Sequence, residues 1–187
     1  MSEKLIFAQT IEGLLRGMGQ LNEQDKAHLR ALGIDVDKRL LPAYPLDQFV
    51  AALDFAGARL SPNASRDEQN LHIGRRFMDS YQETMVGRAM VAGLRVIGPW
   101  RTLERLSNKF RTGNNFSDTR LSRIGDAEAE LWCNQVSRPG WYMGIIGRGL
   151  ELAGAKDVQV SLISAGPSLE LGPPSDDTGA RFSVRWK

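Results

Sequence analysis

The spacing of hydrophobic positions changes near residue 115, and this change divides the chain. Before residue 110 the apolar residues recur every three to four positions, as in IEGLLRG, NEQDKAHLRAL and PLDQFVAALDFAGARL, which predicts helices. After residue 115 they alternate with polar residues in FSDTRLSRI and EAELWCNQV, which predicts a β-hairpin turning at Gly125 and Asp126. A helical pattern, WYMGIIGRGLELAG, and two more strands, VQVSLIS and RFSVRWK, follow.

This order of elements predicts an α/β protein of the α+β type. We expect a helical half, residues 1–110, to pack on a four-stranded antiparallel sheet of ββαββ order in residues 111–187. The two halves should form a single domain, 1–187, because a chain of this length buries enough surface to fold without disulfides or metals. Residues 165–179, rich in Gly, Pro and Asp, are predicted to be a mobile loop between the last two strands.

A long helix is predicted to begin after Ser65, which can form a capping box with Glu68. On one of its faces, apolar residues recur at heptad spacing and are expected to lie in the core: Leu71, Met78, Met85 and Ala92. Gly98 should end this helix, and Pro99 should open the next one, PWRTLERLSNKF.

Positive charge is concentrated in the middle of the chain. The formal net charge of +2 includes ten Lys and Arg against four Asp and Glu between residues 71 and 125. Within PWRTLERLSNKF, the basic residues Arg101, Arg105 and Lys109 are spaced four apart and should share one helix face. Such a face is either simply solvated or available to an anion or an acidic partner.

The stretch FRTGNN, which follows this helix, has two interpretations. Gly113 can adopt the left-handed conformation that ends a helix, and the asparagines after it tolerate such backbone, so a turn is the main prediction. The alternative is an interaction or anion-binding site formed by the helix face and the turn together: Arg101, Arg105, Lys109, Arg111, Thr112, Asn114 and Asn115.

A second candidate site is apolar. If the methionine-rich helix face and the sheet enclose a pocket, the residues expected to line it are Tyr81, Met85, Met90, Trp132 and Trp141. Simple packing is the other explanation of this stripe, because Met and aromatic residues at helical spacing commonly fill a core.

Residue types that catalyse reactions or bind metals are sparse. The one cysteine, Cys133, alternates within a strand pattern and is expected to be a small buried residue. The two histidines, His28 and His72, lie in helical patterns without a nucleophile motif, and the glycines match no dinucleotide or phosphate loop. We therefore expect no enzyme and no metal site. The cysteine usage favours the cytoplasm, and no apolar run is long enough to span a membrane.

Several stretches resemble a paralogous family of uncharacterised myxobacterial proteins of about the same length. They are EGLLRGMG, RLLPAYP, SYQETMVGRAM, FRTGNNFSDTRL, ELWCNQVSRPGWYMGIIGRGLELAGAKDVQVSL and FSVRW. The element order of the second half is also similar to haem-nitric-oxide-binding domains, to vinyl-reductase-like sensor domains and to vesicle-tethering subunits of the TRAPP type. This wider resemblance implies binding of haem, of small effectors or acyl chains, or assembly.

The chain departs from the haem-binding type at the residues that the resemblance makes important. The predicted helix Pro99–Phe110 contains no histidine that could ligate iron, and no Tyr-x-Ser-x-Arg motif follows it. Only Ser137 and Arg138, in LWCNQVSRPG, are similar to that motif. We therefore expect no haem and no other cofactor.

Two hypotheses about function follow. In the first, the chain is a non-catalytic regulatory or adapter domain of the cytoplasm that acts through protein-protein interaction, with self-association through a helix face as one form of it. In the second, it is a haem-free sensor that holds a small apolar molecule or lipid between helices and sheet. Nucleic acid is not an expected partner, because the basic segment has few aromatic residues and no helix-turn-helix pattern.

Overall fold

The computed structural model describes residues 3–83, 85–165 and 179–187. Its first part contains two short strands among helices: β1 (Leu5–Phe7), α1 (Ala8–Met18), α2 (Glu23–Ala31), β2 (Ala43–Pro45), α3 (Leu46–Leu60), α4 (Arg66–Ser80), a 3-10 turn (Tyr81–Glu83) and α5 (Met85–Thr112). The helical prediction is confirmed here, with one correction. The prolines of RLLPAYP suggest a rigid connector, but the end of this stretch forms β2, which pairs antiparallel with β1.

The second part begins with the predicted hairpin. It contains β3 (Thr119–Gly125), β4 (Glu128–Cys133), α6 (Pro139–Leu152), β5 (Gln159–Ala165) and β6 (Ala180–Arg185). The four strands form an antiparallel sheet in the order β3-β4-β6-β5. The α+β class and the ββαββ order are therefore confirmed. The predicted loop 165–179 lies, apart from its two end residues, outside the described residues.

Helix α6 lies between the helical layer and the sheet. Its residues Trp141 and Ile145 belong to the core formed with α1, α3 and α4. On its other side, Ile146 and Leu150 belong to the core formed with the inner face of the sheet. Helix α6 thus supplies apolar residues to both cores.

The closest approach of α6 is to α4 rather than to the sheet. The glycines of GIIGRGLELAG, Gly144 and Gly147 among them, suggest a helix that approaches the sheet closely, but a Cβ at Gly144 would overlap the carbonyl oxygen of Leu71 on α4. At Gly147 a Cβ would meet nothing nearer than 3.8 Å. Gly144 is therefore required by the packing of two helix backbones.

Two features of the predicted long helix have different outcomes. The break at Gly98 is confirmed, because its φ of 78° interrupts α5 just before Pro99. The core stripe is wrong beyond Met78, since Met85 is 79% exposed and Ala92 is also exposed. The 3-10 turn between α4 and α5 breaks the helical period, so residues after it do not continue the buried face.

Candidate functional site

The second half of α5 presents a basic face, which we define as Arg101, Arg105 and Lys109. All three side chains are exposed, and none has an ion pair or hydrogen bond with another described residue. The opposite side of the helix is fixed to the sheet: the hydroxyls of Ser107 and Thr119 lie 3.0 Å apart, and both residues are buried. The packing of α5 therefore holds the basic face towards solvent.

The last basic residue of α5 differs from the basic face. The Arg111 guanidinium lies 3.2 Å from a carboxylate oxygen of Asp118, so its charge already has a counter-charge within the chain. Besides Arg111, the sequence of α5 contains five basic residues and a single acidic residue, Glu104. Positive charge on this helix is therefore concentrated where no ion pair with a described residue neutralises it.

The FRTGNN turn ties the end of α5 to β1. The Asn114 side chain accepts the backbone N–H groups of Phe116 and Ser117, at 3.0 and 2.6 Å. The Asn115 side chain accepts the N–H of Leu5 at 2.8 Å, and its own backbone N–H donates to the Leu5 carbonyl. The turn prediction is confirmed, and these amides are used within the chain.

Gly113 does not have the left-handed conformation that was expected to end the helix. It is not left-handed, because positive φ among the described glycines occurs at Gly19, Gly33, Gly98 and Gly154. Instead its carbonyl accepts the N–H of Phe7 at 2.9 Å, and a Cβ at this position would lie 3.0 Å from the Thr10 hydroxyl. Thr112 is exposed beside it and offers its carbonyl to Gln9. The small residue thus permits close contact with β1 and α1.

The residues of the predicted apolar pocket lie in different surroundings. Met85 and Met90 are exposed on the first half of α5. Trp141 is buried in the helical core, whereas Trp132 lies on the sheet face turned away from α6. The side chain of Tyr81 lies outside the described part of the chain.

A cavity of about 210 Å³ opens on this outer face of the sheet. We call it the outer-sheet cavity; it is lined by Arg120, Ser122, Glu130, Trp132 and Arg181. Strand register explains the grouping: Arg120, Trp132 and Arg181 are direct partners across β3, β4 and β6, and Ser122 and Glu130 form the next row. Three strands therefore bring two arginines, one carboxylate and one indole together.

The charges in the outer-sheet cavity are incompletely matched. The Arg120 guanidinium lies 4.7 Å from the ring centroid of Trp132, a cation-π arrangement. The indole N–H of Trp132, which is 8% exposed, has no acceptor among the described residues. Neither Glu130 nor Arg181 makes an ion pair with any described residue. A buried donor and two opposite charges thus border one small space.

The sequence pattern did not predict the outer-sheet cavity. Alternation in TRLSRI and RFSVR places polar residues on one sheet face, which is ordinary for a solvated sheet. The available signal was Trp132, a large aromatic residue at a position that alternates with the buried Leu131 and Cys133. What alternation could not supply is the strand order, in which β4 pairs with β6.

Reactive side chains elsewhere are buried or exposed singly. Burial, with a smaller contribution from the Asp118 charge, raises the pKa of the Cys133 thiol to about 12, so the thiol stays protonated. The expectation of a buried cysteine is confirmed.

Among the residues that the structure describes, no three His, Cys, Asp or Glu side chains are grouped to hold a metal ion. In the same residues, no helix has the length and hydrophobicity needed to cross a membrane.

The chain belongs to the DUF2378 family, described as proteins of unknown function, which matches residues 4–186. No curated protein matches it significantly. Solved structures with a similar fold include the Fe(II) unliganded H-NOX protein from K. algicida, with a TM-score of 0.57 and 13% identity over 95% of this chain and 94% of that one.

Two further H-NOX structures give the same result. An oxygen-binding H-NOX domain related to soluble guanylate cyclases has a TM-score of 0.56 and 14% identity, over 96% of this chain and 93% of that one. A structure described in terms of the mechanism of H-NOX activation has a TM-score of 0.60 and 11% identity, over 97% and 96%. The expected similarity to haem-nitric-oxide-binding domains is confirmed for the fold, which is all that such identities show.

Proteins hold a haem iron through His, Cys, Met or Tyr, and the histidine and cysteine side chains of this chain do not fit that role. Both histidines are exposed: His28 stacks on Phe55, and His72 lies 2.8 Å from the Ser61 hydroxyl. The Cys133 thiol is protonated, so it is not the thiolate that binds iron. None of these three side chains offers a ligand atom to a group buried between the helices and the sheet.

Proposed function

We propose that this member of the DUF2378 family is a non-catalytic regulatory or adapter domain that binds an acidic protein segment on the basic face of α5. One observation supports this most directly: Arg101, Arg105 and Lys109 are exposed without a counter-charge among the described residues, on a helix whose other side is fixed. An acidic partner would supply the missing carboxylates and be attracted over a distance.

The spacing of the basic face suits a peptide or helix better than nucleic acid. Residues four apart on a helix are separated by about 6 Å along its axis, so the face offers one cation per turn. Binding of single-stranded nucleic acid also needs accessible aromatic rings for base stacking. The aromatic residues of this helix segment are packed instead, Trp100 against Trp186 and Phe110 against Tyr142.

In this proposal the protein is cytoplasmic and acts without haem or another cofactor. Self-association through a helix face is one form that the interaction takes. A myxobacterial source and a set of paralogues, which the sequence resemblance suggests, stay predictions. The fold shared with H-NOX structures supports a regulatory role only by analogy.

Charge reversal tests the basic face. Fluorescence anisotropy with a labelled poly-glutamate peptide should show binding that Arg105→Glu weakens about tenfold or more at moderate salt. Arg39→Glu is the matched control, because Arg39 is also exposed and has no partner among the described residues, but lies far along the chain before β2. Equal weakening by both variants would reduce the effect to net charge and contradict the proposal. So would tighter binding of a single-stranded DNA of equal charge.

A second candidate function is a haem-free sensor of a small molecule. Two observations favour it: the fold is similar to that of an oxygen-binding H-NOX domain, and the outer-sheet cavity is bordered by unmatched polar groups. Native mass spectrometry of protein purified gently from its host, compared with denaturing spectra, tests it. Extra mass that disappears on denaturation supports a sensor, and a bare chain contradicts one.

A further inference from the structure

We infer that residues 85–98, the first half of α5, dock on an anionic membrane surface and lie along it. This inference goes beyond the proposed function and does not rest on it, because it uses neither the basic face nor the outer-sheet cavity. It gives a role to apolar residues that the sequence pattern placed in the core and that the structure leaves at the surface.

An exposed row of apolar residues runs along this half of the helix. We call it the apolar stripe, and it consists of Met85, Ala89, Ala92 and Val96. Their spacing of four, three and four residues places them on one helix face. Val96 and Met85, 87% and 79% exposed, are the most exposed large apolar side chains among the described residues. A continuous exposed apolar face of this kind indicates contact with another protein or with a membrane.

The opposite side of this half of the helix is packed. Val91 and Leu94 are both buried, and Val91 belongs to the core of the helical layer. At 100° per residue these two side chains point roughly away from the apolar stripe. The stripe therefore faces solvent because the helix is anchored through its other side.

The charge beside the apolar stripe is entirely positive. Arg88 and Arg95, seven residues apart, lie on one flank of the stripe, and both are exposed without a partner among the described residues. The sequence from residue 84 to residue 103 contains no Asp or Glu. A surface that covers the stripe must therefore supply negative charge beside an apolar layer. The headgroups and acyl chains of an anionic membrane supply the two at adjacent depths.

A second copy of the chain fits the apolar stripe less well. Two stripes packed antiparallel about a two-fold axis would bring Arg88 of each copy near Arg95 of the other, with no carboxylate in the segment to separate them. Parallel packing avoids this repulsion but gives neither arginine a counter-charge. The anionic membrane is the occupant that complements both the apolar and the charged side chains.

Co-sedimentation of the full chain with lipid vesicles tests the docking. The vesicles consist of phosphatidylcholine alone or of phosphatidylcholine with about one third of the anionic lipid phosphatidylglycerol. We expect binding to the anionic vesicles only. The double variant Met85→Ser with Val96→Ser should weaken this binding about tenfold or more, because it removes the side chains that enter the acyl layer. The double variant Arg88→Gln with Arg95→Gln should also weaken it about tenfold.

Matched controls replace exposed residues of the same kinds elsewhere in the chain. Leu41→Ser with Ile124→Ser removes two exposed apolar side chains. Arg39→Gln with Lys156→Gln removes two exposed cations that have no side-chain partner among the described residues. Both controls should bind anionic vesicles within about twofold of the parent chain.

A fluorescent label shows which residues enter the membrane. The native Cys133 is buried, so a thiol-reactive dye will attach to an introduced cysteine in preference to it. We expect the emission of a dye at Met85→Cys or Val96→Cys to shift to the blue when anionic vesicles are added. A dye at Ile124→Cys, which is exposed on the hairpin of β3 and β4, should not shift.

Four results would overturn the inference. They are the absence of binding to anionic vesicles, unchanged binding by the Met85→Ser and Val96→Ser variant, an equal loss in the control variants, and a dimer that dissociates in the apolar-stripe variant. Analytical ultracentrifugation detects such a dimer, which would assign the stripe to a second copy of the chain. Because the poly-glutamate experiment uses other residues and another probe, failure of the proposed function and failure of this inference are distinguishable.

Discussion

Arginine side chains serve opposite purposes in two regions of the molecule: the contact of α4 with α6, and the basic face of α5. Arg75 holds both carboxylate oxygens of Glu151, at 2.9 and 2.8 Å, and Arg148 joins Glu151 to Asp79 at 2.9 and 2.6 Å. On the basic face no described residue forms an ion pair with the cationic side chains. Charge that holds this fold together is matched between helices, so the unmatched charge on α5 is the part available for interaction.

The glycines of α6 give the largest expected effect in this comparison. Gly144→Ala should lower the free energy of unfolding by about 3 kcal/mol, because its Cβ would overlap the backbone of α4 at Leu71. Urea denaturation followed by circular dichroism measures this change. Gly147→Ala is the control: its Cβ meets nothing nearer than 3.8 Å, and alanine is the better helix former, so we expect a gain of up to about 1 kcal/mol. Similar losses in both variants would show that α4 and α6 are not in close backbone contact.

The second largest loss of stability is expected when the carboxylate of Glu151, which Arg75 and Arg148 share, is removed. Glu151→Gln leaves Arg75 and Arg148 without their common partner in a half-buried site, and we expect a loss of about 2 kcal/mol in the same urea assay. Glu128→Gln is the matched control, since its partner Arg185 is 63% exposed and such surface pairs contribute at most about 1 kcal/mol. An equal cost for both would remove the distinction between matched interior charge and surface charge.

A third carboxylate makes part of the stability depend on pH. Burial alone would raise the pKa of Asp54, but hydrogen bonds from Arg138 and Arg66 hold it at about 2. The folded state therefore keeps this group ionised where the unfolded chain, with an aspartate pKa near 3.9, begins to protonate it. The resulting contribution of about 2 kcal/mol is complete above pH 4 and is lost as the pH falls through 2.

Urea unfolding measured between about pH 5 and pH 2 checks this window. Asp54→Asn should be less stable at neutral pH and should lose less stability on acidification. A variant that follows the slope of the parent chain would show that other carboxylates determine the acid response.

The smallest effect is expected on the basic face itself. Replacement of Arg101, Arg105 and Lys109 together by glutamine should change the free energy of unfolding by less than about 0.5 kcal/mol, because the three side chains have no partners to lose among the described residues. The urea midpoint and slope of this variant, compared with those of Glu151→Gln, sharpen the contrast between the two sets of charges. A loss as large as that of Glu151→Gln would mean that the basic face is structural.

Local signals predicted most of the elements. The alternation of FSDTRLSRI and EAELWCNQV gave the hairpin, and Gly98 with Pro99 gave the break in α5. The capping box predicted at Ser65 forms, because it needs only a partner three residues away. Where the determinant was a neighbour in sequence, the expectation and the structure agree.

Features of the fold that depend on contacts between residues distant in sequence could not be predicted from local patterns. The pairing of β1 with β2 depends on residues about 40 positions apart, and the role of Asn115 depends on Leu5. The phase of the methionine stripe was wrong because one 3-10 turn changes it. The outer-sheet cavity needed the strand order as well as the alternation, since Arg120 and Arg181 become neighbours of Trp132 only through β4 and β6.

The link between Asn115 and β1 also has a consequence for the order in which the chain is made. Leu5 and Asn115 are 110 positions apart, so residues of β1 leave the ribosome on the order of ten seconds before the asparagine that secures them. During that interval β2, which is synthesised sooner, is the partner strand among the described residues with which β1 can pair. Attachment of β1 to the end of α5 must therefore be a late step of biosynthesis, reached after more than half of the chain has been translated.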